Sequence, residues 1–256
     1  MAKRELVKSL YKIGALKFGD FTLKSGKKSP YYIDMRILPS YPSVLKQSGQ
    51  TLGEIIQGDP DEPNVLCGIP AAGLAIATAI SLETDLPVFY TKKEPIVYKD
   101  LVNYLKRMLD ASGGEDDFRP EEKAGINKAL RIIDSMRGLK AHGLPRYVDG
   151  EYGEGDRVAI IDDLITTAES KLEARDLVLL DAKRRNLHVT IVGVYVILDR
   201  EQGGAEALKK AGIKLRSVAT IREAARWLHD DGELQSDMYN TIVDYTVQDR
   251  KMSGLE

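Results

Sequence analysis

Apolar residues in this chain fall into two kinds of block that alternate. Blocks of the first kind are continuous: VLCGIP (Val65 to Pro70), LPVFY (Leu86 to Tyr90), RVAIID (Arg157 to Asp162), HVTIVGVYVIL (His188 to Leu198) and IKLRSVAT (Ile213 to Thr220). Short runs of this type, bounded by Gly, Pro, Asp or a basic residue, predict strands buried on both faces. Blocks of the second kind are spaced. Leu6, Val7, Leu10, Tyr11 and Ile13 recur at helical intervals, and Ala71 to Leu82 reads as a helix of small residues. A further helix is predicted from about Glu169 to Arg185, and another carries Trp227. Strands that alternate with helices predict an α/β protein, with a mainly parallel sheet flanked by helices on both faces. There is no internal repeat.

One segment breaks the alternation. Between Ile96 and Leu139 the pattern predicts two helices around ASGGEDDFRP. The first carries Leu101, Tyr104, Leu105, Met108 and Leu109. The second opens near Pro120, a residue favoured in a first helical turn, and carries Ile126, Leu130, Ile133 and Met136. The expected organisation is one domain over 1–256 with a helical hairpin inserted at 96–139.

Composition narrows the class only slightly. At 256 residues, with 30% charged and 43% apolar side chains, the chain is long enough to bury a sizeable core. Its formal net charge of -2 and lack of a long basic block give no nucleic-acid footprint. The single cysteine, Cys67, rules out an internal disulfide and suits a reducing compartment. The N-terminal stretch lacks the unbroken apolar core of a signal peptide, and AAGLAIATAISL falls short of the roughly 18 apolar residues of a membrane span. The expectation is a soluble, cytoplasmic protein with neither a nucleic-acid nor a membrane partner.

The chemistry concentrates in IIDDLITTAES, Ile160 to Ser170. Ligands of an open parallel sheet bind beyond the carboxyl ends of its strands, where Asp162 and Asp163 are predicted. Adjacent carboxylates are good acceptors for a vicinal pair of sugar hydroxyls. The next turn, with Thr166, Thr167 and Ser170, offers hydroxyls and backbone N–H groups to a phosphate at the positive end of a helix. Asp, Thr and Ser also serve as ordinary turn and cap residues, so the pair of aspartates is weak evidence by itself. The ordered succession of strand, Asp-Asp, turn and helix is stronger.

VAIIDDLITTAES resembles the phosphoribosyl-pyrophosphate (PRPP) motif of the type I phosphoribosyltransferases. FGDFTLKSGKKSPYYIDMR (Phe18 to Arg36), ILDREQGGAEALKKAGIKLRSVATI (Ile197 to Ile221) and LCGIPAAGLAIATAI resemble the orotate phosphoribosyltransferases in particular. The likeness spans residues 11–95 and 140–228. It implies the type I phosphoribosyltransferase fold with a small N-terminal hood, and transfer of ribose 5-phosphate from PRPP to orotate. Mg²⁺ would be carried with PRPP, and no protein-held metal site is implied.

The resemblance also assigns roles. Asp162 and Asp163 would hold the ribose hydroxyls, and the stretch Leu164, Ile165, Thr166, Thr167, Ala168, Glu169 and Ser170 the 5′-phosphate. Lys24 would lie at the base and pyrophosphate side, and Tyr32 and Ile33 would form the floor under the pyrimidine, a planar acid suited to an aromatic face. Arg200 would meet the orotate ring, its planar fork matching a carboxylate or carbonyl pair. Thr166 would stand close to both substrates. Singly, each has a plainer reading: Lys24 a solvated lysine, Tyr32 a core tyrosine, Arg200 a partner of Asp199.

TKKEP (Thr91 to Pro95) is similar to the segment that precedes the family's mobile catalytic loop. Lys92 and Lys93 stand at its basic pair. KAHG, Lys140 to Gly143, matches its second element, displaced beyond the predicted hairpin; a competing alignment places Tyr98 there instead and loses the lysine. Lys93, Lys140 and His142 are the expected catalytic residues, with Lys92 on the pyrophosphate. The family's loop reaches into a neighbouring subunit, which implies a homodimer.

Two residues depart from the family pattern. Ala168 stands where glycine is common, and Glu169 where a small residue is. A left-handed backbone at Ala168 would cost about 1–2 kcal/mol. A carboxylate about 6 Å from a phosphate would cost up to about 3 kcal/mol at an effective dielectric near 20, and less if it points to water. Two alternatives therefore stand beside the enzyme reading: a catalytically weak PRPP- or nucleotide-binding regulatory relative, and a phosphoribosyltransferase for another base.

Overall fold

The computed structural model describes residues 1–22, 26–92, 125 and 147–255. The chain divides into two compact units, Met1–Thr91 with Val148–Glu256, and Lys92–Tyr147. Apart from Gly125, the segment 96–139 expected to form a helical hairpin lies outside the described residues.

The larger unit is built on a six-stranded sheet made of β3 (Val65–Gly68), β4 (Val88–Thr91), β5 (Val148–Asp149), β6 (Arg157–Ile165), β7 (Thr190–Asp199) and β8 (Lys214–Thr220). Its order is β5-β4-β3-β6-β7-β8. All neighbours are parallel except β5, which pairs antiparallel with β4 at one edge. Each continuous apolar block of the sequence supplies one of the parallel strands. β3 is buried throughout, and so are β6 from Val158 to Asp162 and β7 from Val192 to Asp199. Such strands need cover on both faces, because alternate side chains point to opposite sides.

The cover comes from helices. Leu66, Ala159, Ile161, Tyr195 and Ile197 share one cluster with side chains of α1 (Ala2–Lys12), α2 (Pro42–Gln57) and α3 (Ala72–Thr84). Ala224, Ala225 and Leu228 of α6 (Ile221–Asp230) and Ile242 of α7 (Ser236–Met252) complete it. A fully buried aliphatic side chain contributes about 1.5–3 kcal/mol, so this cluster dominates the stability of the unit. Helix α4 (Glu169–Arg184) packs against β4, β5 and β6 with Ala174, Val178 and Ala182. Between β7 and β8 lies the short α5 (Gly204–Lys210).

Ahead of the sheet, β1 (Leu16–Thr22) and β2 (Lys28–Ile33) form a separate antiparallel pair, followed by a 3₁₀ segment, Met35–Ser40. α6 begins with a capping box in which the Thr220 hydroxyl accepts from the Glu223 N–H and Glu223 accepts from the Thr220 N–H. That box fixes the exit from β8. Helix α3 is rich in small residues for a steric reason. A Cβ on Gly73 would stand 2.5 Å from the Ile161 carbonyl and 2.9 Å from the Asp162 Cα. The start of α3 therefore sits directly on the carboxyl end of β6.

Candidate functional site

β6 carries its two aspartates just past the end of β3, whose Gly68 pairs with Ile161, but inside its own length: the strand expected to close at Asp162 continues to Ile165, held by β7. Asp162 is buried and is held at both oxygens. Its Oδ1 accepts the Asp163 N–H at 2.9 Å, and its Oδ2 lies 2.6 Å from Lys171 Nζ. The Asp163 Oδ1 accepts the Leu164 N–H at 2.8 Å. Burial, and then the neighbouring charge of Asp162, push the Asp163 carboxyl up to about 7, against the opposing pull of Lys171. The buried ammonium is thus paired with Asp162, and only its charge reaches Asp163.

The turn after β6 reaches α4 through Ala168, whose φ of 69° is left-handed. The strain anticipated for a non-glycine residue here is present. Ala168 is buried and its carbonyl accepts the N–H groups of Lys171 and Leu172, both at 3.0 Å, which closes the first helical turn. Glu169 is exposed, as are Thr167 and Ser170, while Thr166 and Leu164 are partly buried and Ile165 is buried. Ser170 Oγ accepts from Lys171 Nζ at 3.2 Å. The turn is pressed from behind by the loop after β7. A Cβ on Gly204 would meet Ile165 Cγ1 at 2.4 Å and the Thr166 carbonyl at 2.5 Å. Only a residue without a side chain lets these two loops approach so closely.

The residues expected to hold the acceptor come from β2 and from the end of β7. The two tyrosines of SPYYID have opposite fates. Tyr31 is fully buried, and Tyr32 is 39% exposed with its ring 5.8 Å from that of Phe21. Tyr32 is therefore not a core tyrosine, and Ile33 is partly buried against the core. Arg200 follows β7, its N–H donating to the Ile165 carbonyl at 3.1 Å. Its guanidinium stands 5.3 Å from the centre of the Tyr31 ring, and its buried Nε has no hydrogen-bond partner among the described residues. The Asp199 carboxylate takes the Glu201 N–H at 2.8 Å. Burial drives the Tyr31 hydroxyl up to about 12 in spite of Arg200. Arg36, bidentate on Asp34 at 2.7 and 2.8 Å, also feels the more distant charge of Asp163. Arg36 thus stays paired with Asp34 while lying within electrostatic reach of β6.

Lys24, Lys93, Tyr98, Lys140 and His142 lie outside the described residues. Lys92 belongs to the second unit, where its N–H donates to the Tyr147 carbonyl at 3.0 Å.

Three contributions escape a reading of the motifs. Lys171 is one, although its spacing to Ala174 and Val178 places it on the buried stripe of α4. Another is the pair formed by Tyr31 and Tyr245 of α7, whose rings meet edge to face at 5.7 Å. The third is Asp249 of α7, which is ion-paired with Lys27 and accepts from Gln202 Nε2 at 2.8 Å. α7 thereby touches both acceptor-side segments.

No family model matches the sequence. The orotate phosphoribosyltransferase of Chlamydia caviae is 33% identical over 224 residues, covering 87% of this chain and 84% of that one. The structure of Leishmania donovani UMP synthase superposes with a TM-score of 0.67 at 26% identity, over 97% of this chain and 43% of that longer chain. The orotate phosphoribosyltransferase structure from Aeropyrum pernix gives a TM-score of 0.57 at 25% identity, over 90% of this chain and 99% of that one. The parallel sheet with its aspartate pair and glycine-pinned turn is the type I phosphoribosyltransferase fold, and the chain belongs to the orotate phosphoribosyltransferase family.

Proposed function

We propose that the protein transfers ribose 5-phosphate from PRPP to N1 of orotate, giving orotidine 5′-monophosphate and pyrophosphate in the cytoplasm. The observation that carries this reading is the junction after β6, where Asp162 and Asp163 precede the left-handed Ala168 turn, and where the charge of Arg36, from the acceptor-side segment that also holds Tyr32, reaches Asp163. One side suits a phosphorylated ribose and the other a planar acid. The C1′–oxygen bond to pyrophosphate breaks with its electron pair leaving on pyrophosphate. N1 of orotate then bonds to C1′ and its proton is released. Such a reaction needs positioning and charge stabilisation, with little covalent work by the protein.

In this reading Asp162 and Asp163 orient the ribose. The backbone and hydroxyls from Leu164 through Ser170, at the positive end of α4, hold the 5′-phosphate. Tyr32 and Ile33 support the pyrimidine, while Lys24 and Arg200 meet its polar edge; the unpartnered Nε of Arg200 supports that role. Lys92, Lys93, Lys140 and His142 serve the pyrophosphate, with His142 as proton or hydrogen-bond donor. Among the described residues no three His, Cys, Asp or Glu side chains cluster as a metal cage, and one aspartate of the pair is bound to Lys171. Mg²⁺ fits better on the donor, where it neutralises charge on the leaving pyrophosphate. A homodimer, with the loop of one subunit serving the other, completes the reading, and the loop residues Lys92, Lys93, Lys140 and His142 flank the insertion at 96–139.

The test is the absorbance of orotate on mixing with protein, PRPP and Mg²⁺. Orotate is expected to be consumed and uracil, hypoxanthine and adenine to be poor acceptors, because they lack the carboxylate. Equal turnover with uracil would overturn the acceptor while sparing the donor. Ala168 and Glu169 favour the second reading, a PRPP-binding protein without turnover, which binding in the absence of consumption would establish.

A further inference from the structure

None of the roles above uses Lys171. Its side chain is 6% exposed. Lysines are almost never buried unless paired, since burying a bare ammonium is strongly unfavourable. This one is committed to two groups in different parts of the donor cradle. It lies 2.6 Å from Oδ2 of Asp162, at the end of the ribose strand, and 3.2 Å from Oγ of Ser170, in the phosphate turn. Its backbone N–H closes the same turn onto the Ala168 carbonyl at 3.0 Å. The left-handed Ala168 lies between the two anchoring points, so the side chain spans the strained part of the loop.

The carboxylates are left in unequal positions. Asp162 has both oxygens engaged, one by Lys171 and one by the Asp163 N–H. Asp163 has one oxygen engaged, by the Leu164 N–H, and feels the charges of Asp162 on its own strand, Lys171 from α4 and Arg36 from the 3₁₀ segment. α3 packs there through Gly73, which brings no titratable group.

We propose that Lys171 is a positioning residue of the donor cradle: its ammonium ties Asp162 to Ser170 across the Ala168 turn and leaves Asp163 as the carboxylate that receives the ribose hydroxyls. This deepens the donor-site reading and rests on it. It divides the labour of the aspartate pair, one fixing the loop and the other meeting the sugar.

Calorimetric titration of PRPP with Mg²⁺, repeated from about pH 5.5 to 8.5, tests it, because the affinity should follow the ionisation of Asp163. Wild-type affinity should rise with pH through neutrality. Lys171→Met should weaken PRPP binding at least about tenfold and move the midpoint upward, since the cation that favours ionised Asp163 is gone, while Lys171→Arg restores both. A Lys171→Met protein with a lower melting temperature but unchanged affinity and midpoint would overturn the proposal, as that is the signature of a purely structural lysine. Should Lys171→Met fail to fold, the aspartates decide. Asp163→Asn should lose at least about ten times more affinity than Asp162→Asn, roughly 1.4 kcal/mol, and equal losses would overturn the unequal division. Absence of PRPP binding by the wild-type protein removes the donor-site reading itself, whereas wild-type binding with unaffected variants removes only the role of Lys171.

Discussion

A methyl group decides the geometry of the donor turn. Ala168 holds a φ of 69°, a region glycine enters freely and alanine enters at a penalty of about 1–2 kcal/mol. The side chain beside it behaves differently. Glu169 is exposed and opens α4, where a carboxylate interacts favourably with the helix dipole. The two departures from the family pattern therefore predict different outcomes. Ala168→Gly should relieve the strain and tighten PRPP up to about fivefold, the equivalent of about 1 kcal/mol. Glu169→Gln should change affinity less than about threefold, with a small loss of helix stability of about 0.3–1 kcal/mol. Calorimetry at two salt concentrations checks both. A large, salt-sensitive gain from Glu169→Gln would mean that the carboxylate faces the phosphate after all.

Among the elements, α7 is joined to the acceptor side by polar and aromatic contacts. Asp249 holds Lys27, beside the turn of the β1–β2 hairpin, and Gln202, in the loop that carries Arg200. Burial works to raise its carboxyl, but Lys27 and Gln202 outweigh that and hold it below the usual carboxylate range. A carboxyl depressed in the folded state stabilises above its unfolded pKa, and that contribution is lost as pH falls through the folded value. Asp249→Asn should therefore destabilise the protein at neutral pH and converge with wild type in acid. Because the Lys27 side chain is 42% exposed, screening keeps the loss to about 1 kcal/mol. Urea melts as a function of pH measure it; a loss that persists undiminished in acid would show that the charge is not the cause. The same helix explains what the sequence conceals. The parallel strands are legible because burial on both faces makes them continuous apolar runs. α7 buries Ile242 among Thr246 and Asp249, which leaves a weak apolar stripe. Lys171 is hidden for a related reason: a lysine in a helix reads as solvated, and only its register with Ala174 and Val178 betrays the burial. The left-handed Ala168, by contrast, could be suspected because a motif that favours glycine lacks it.

At the scale of the molecule, the two units are joined by two crossings that lie side by side. The chain leaves the sheet at Thr91 and re-enters it at Val148, and these residues are paired in the antiparallel β4–β5 ladder. The segment between them occupies a place where a tight hairpin would serve. Everything assigned to ribose, phosphate and pyrimidine is in the larger unit, while Lys92, Lys93, Lys140 and His142 are in the smaller. On the proposed assignment, binding and chemistry should be separable by surgery. Replacing residues 92–147 with Asn-Gly lets Thr91 and Val148 flank a type I′ turn, whose twist suits adjoining antiparallel strands. The shortened protein should melt cooperatively, since the cluster centred on Leu66, Ile161 and Tyr195 is retained. It should still bind PRPP through the turn after β6. Its turnover of orotate should fall at least about a hundredfold, because groups that stabilise charge on a leaving group are each worth about that much. Circular dichroism, calorimetry and the orotate absorbance assay read the three quantities on one sample. Retained turnover would show that the catalytic loop does not lie between Thr91 and Val148, and would return the pyrophosphate to residues of the larger unit.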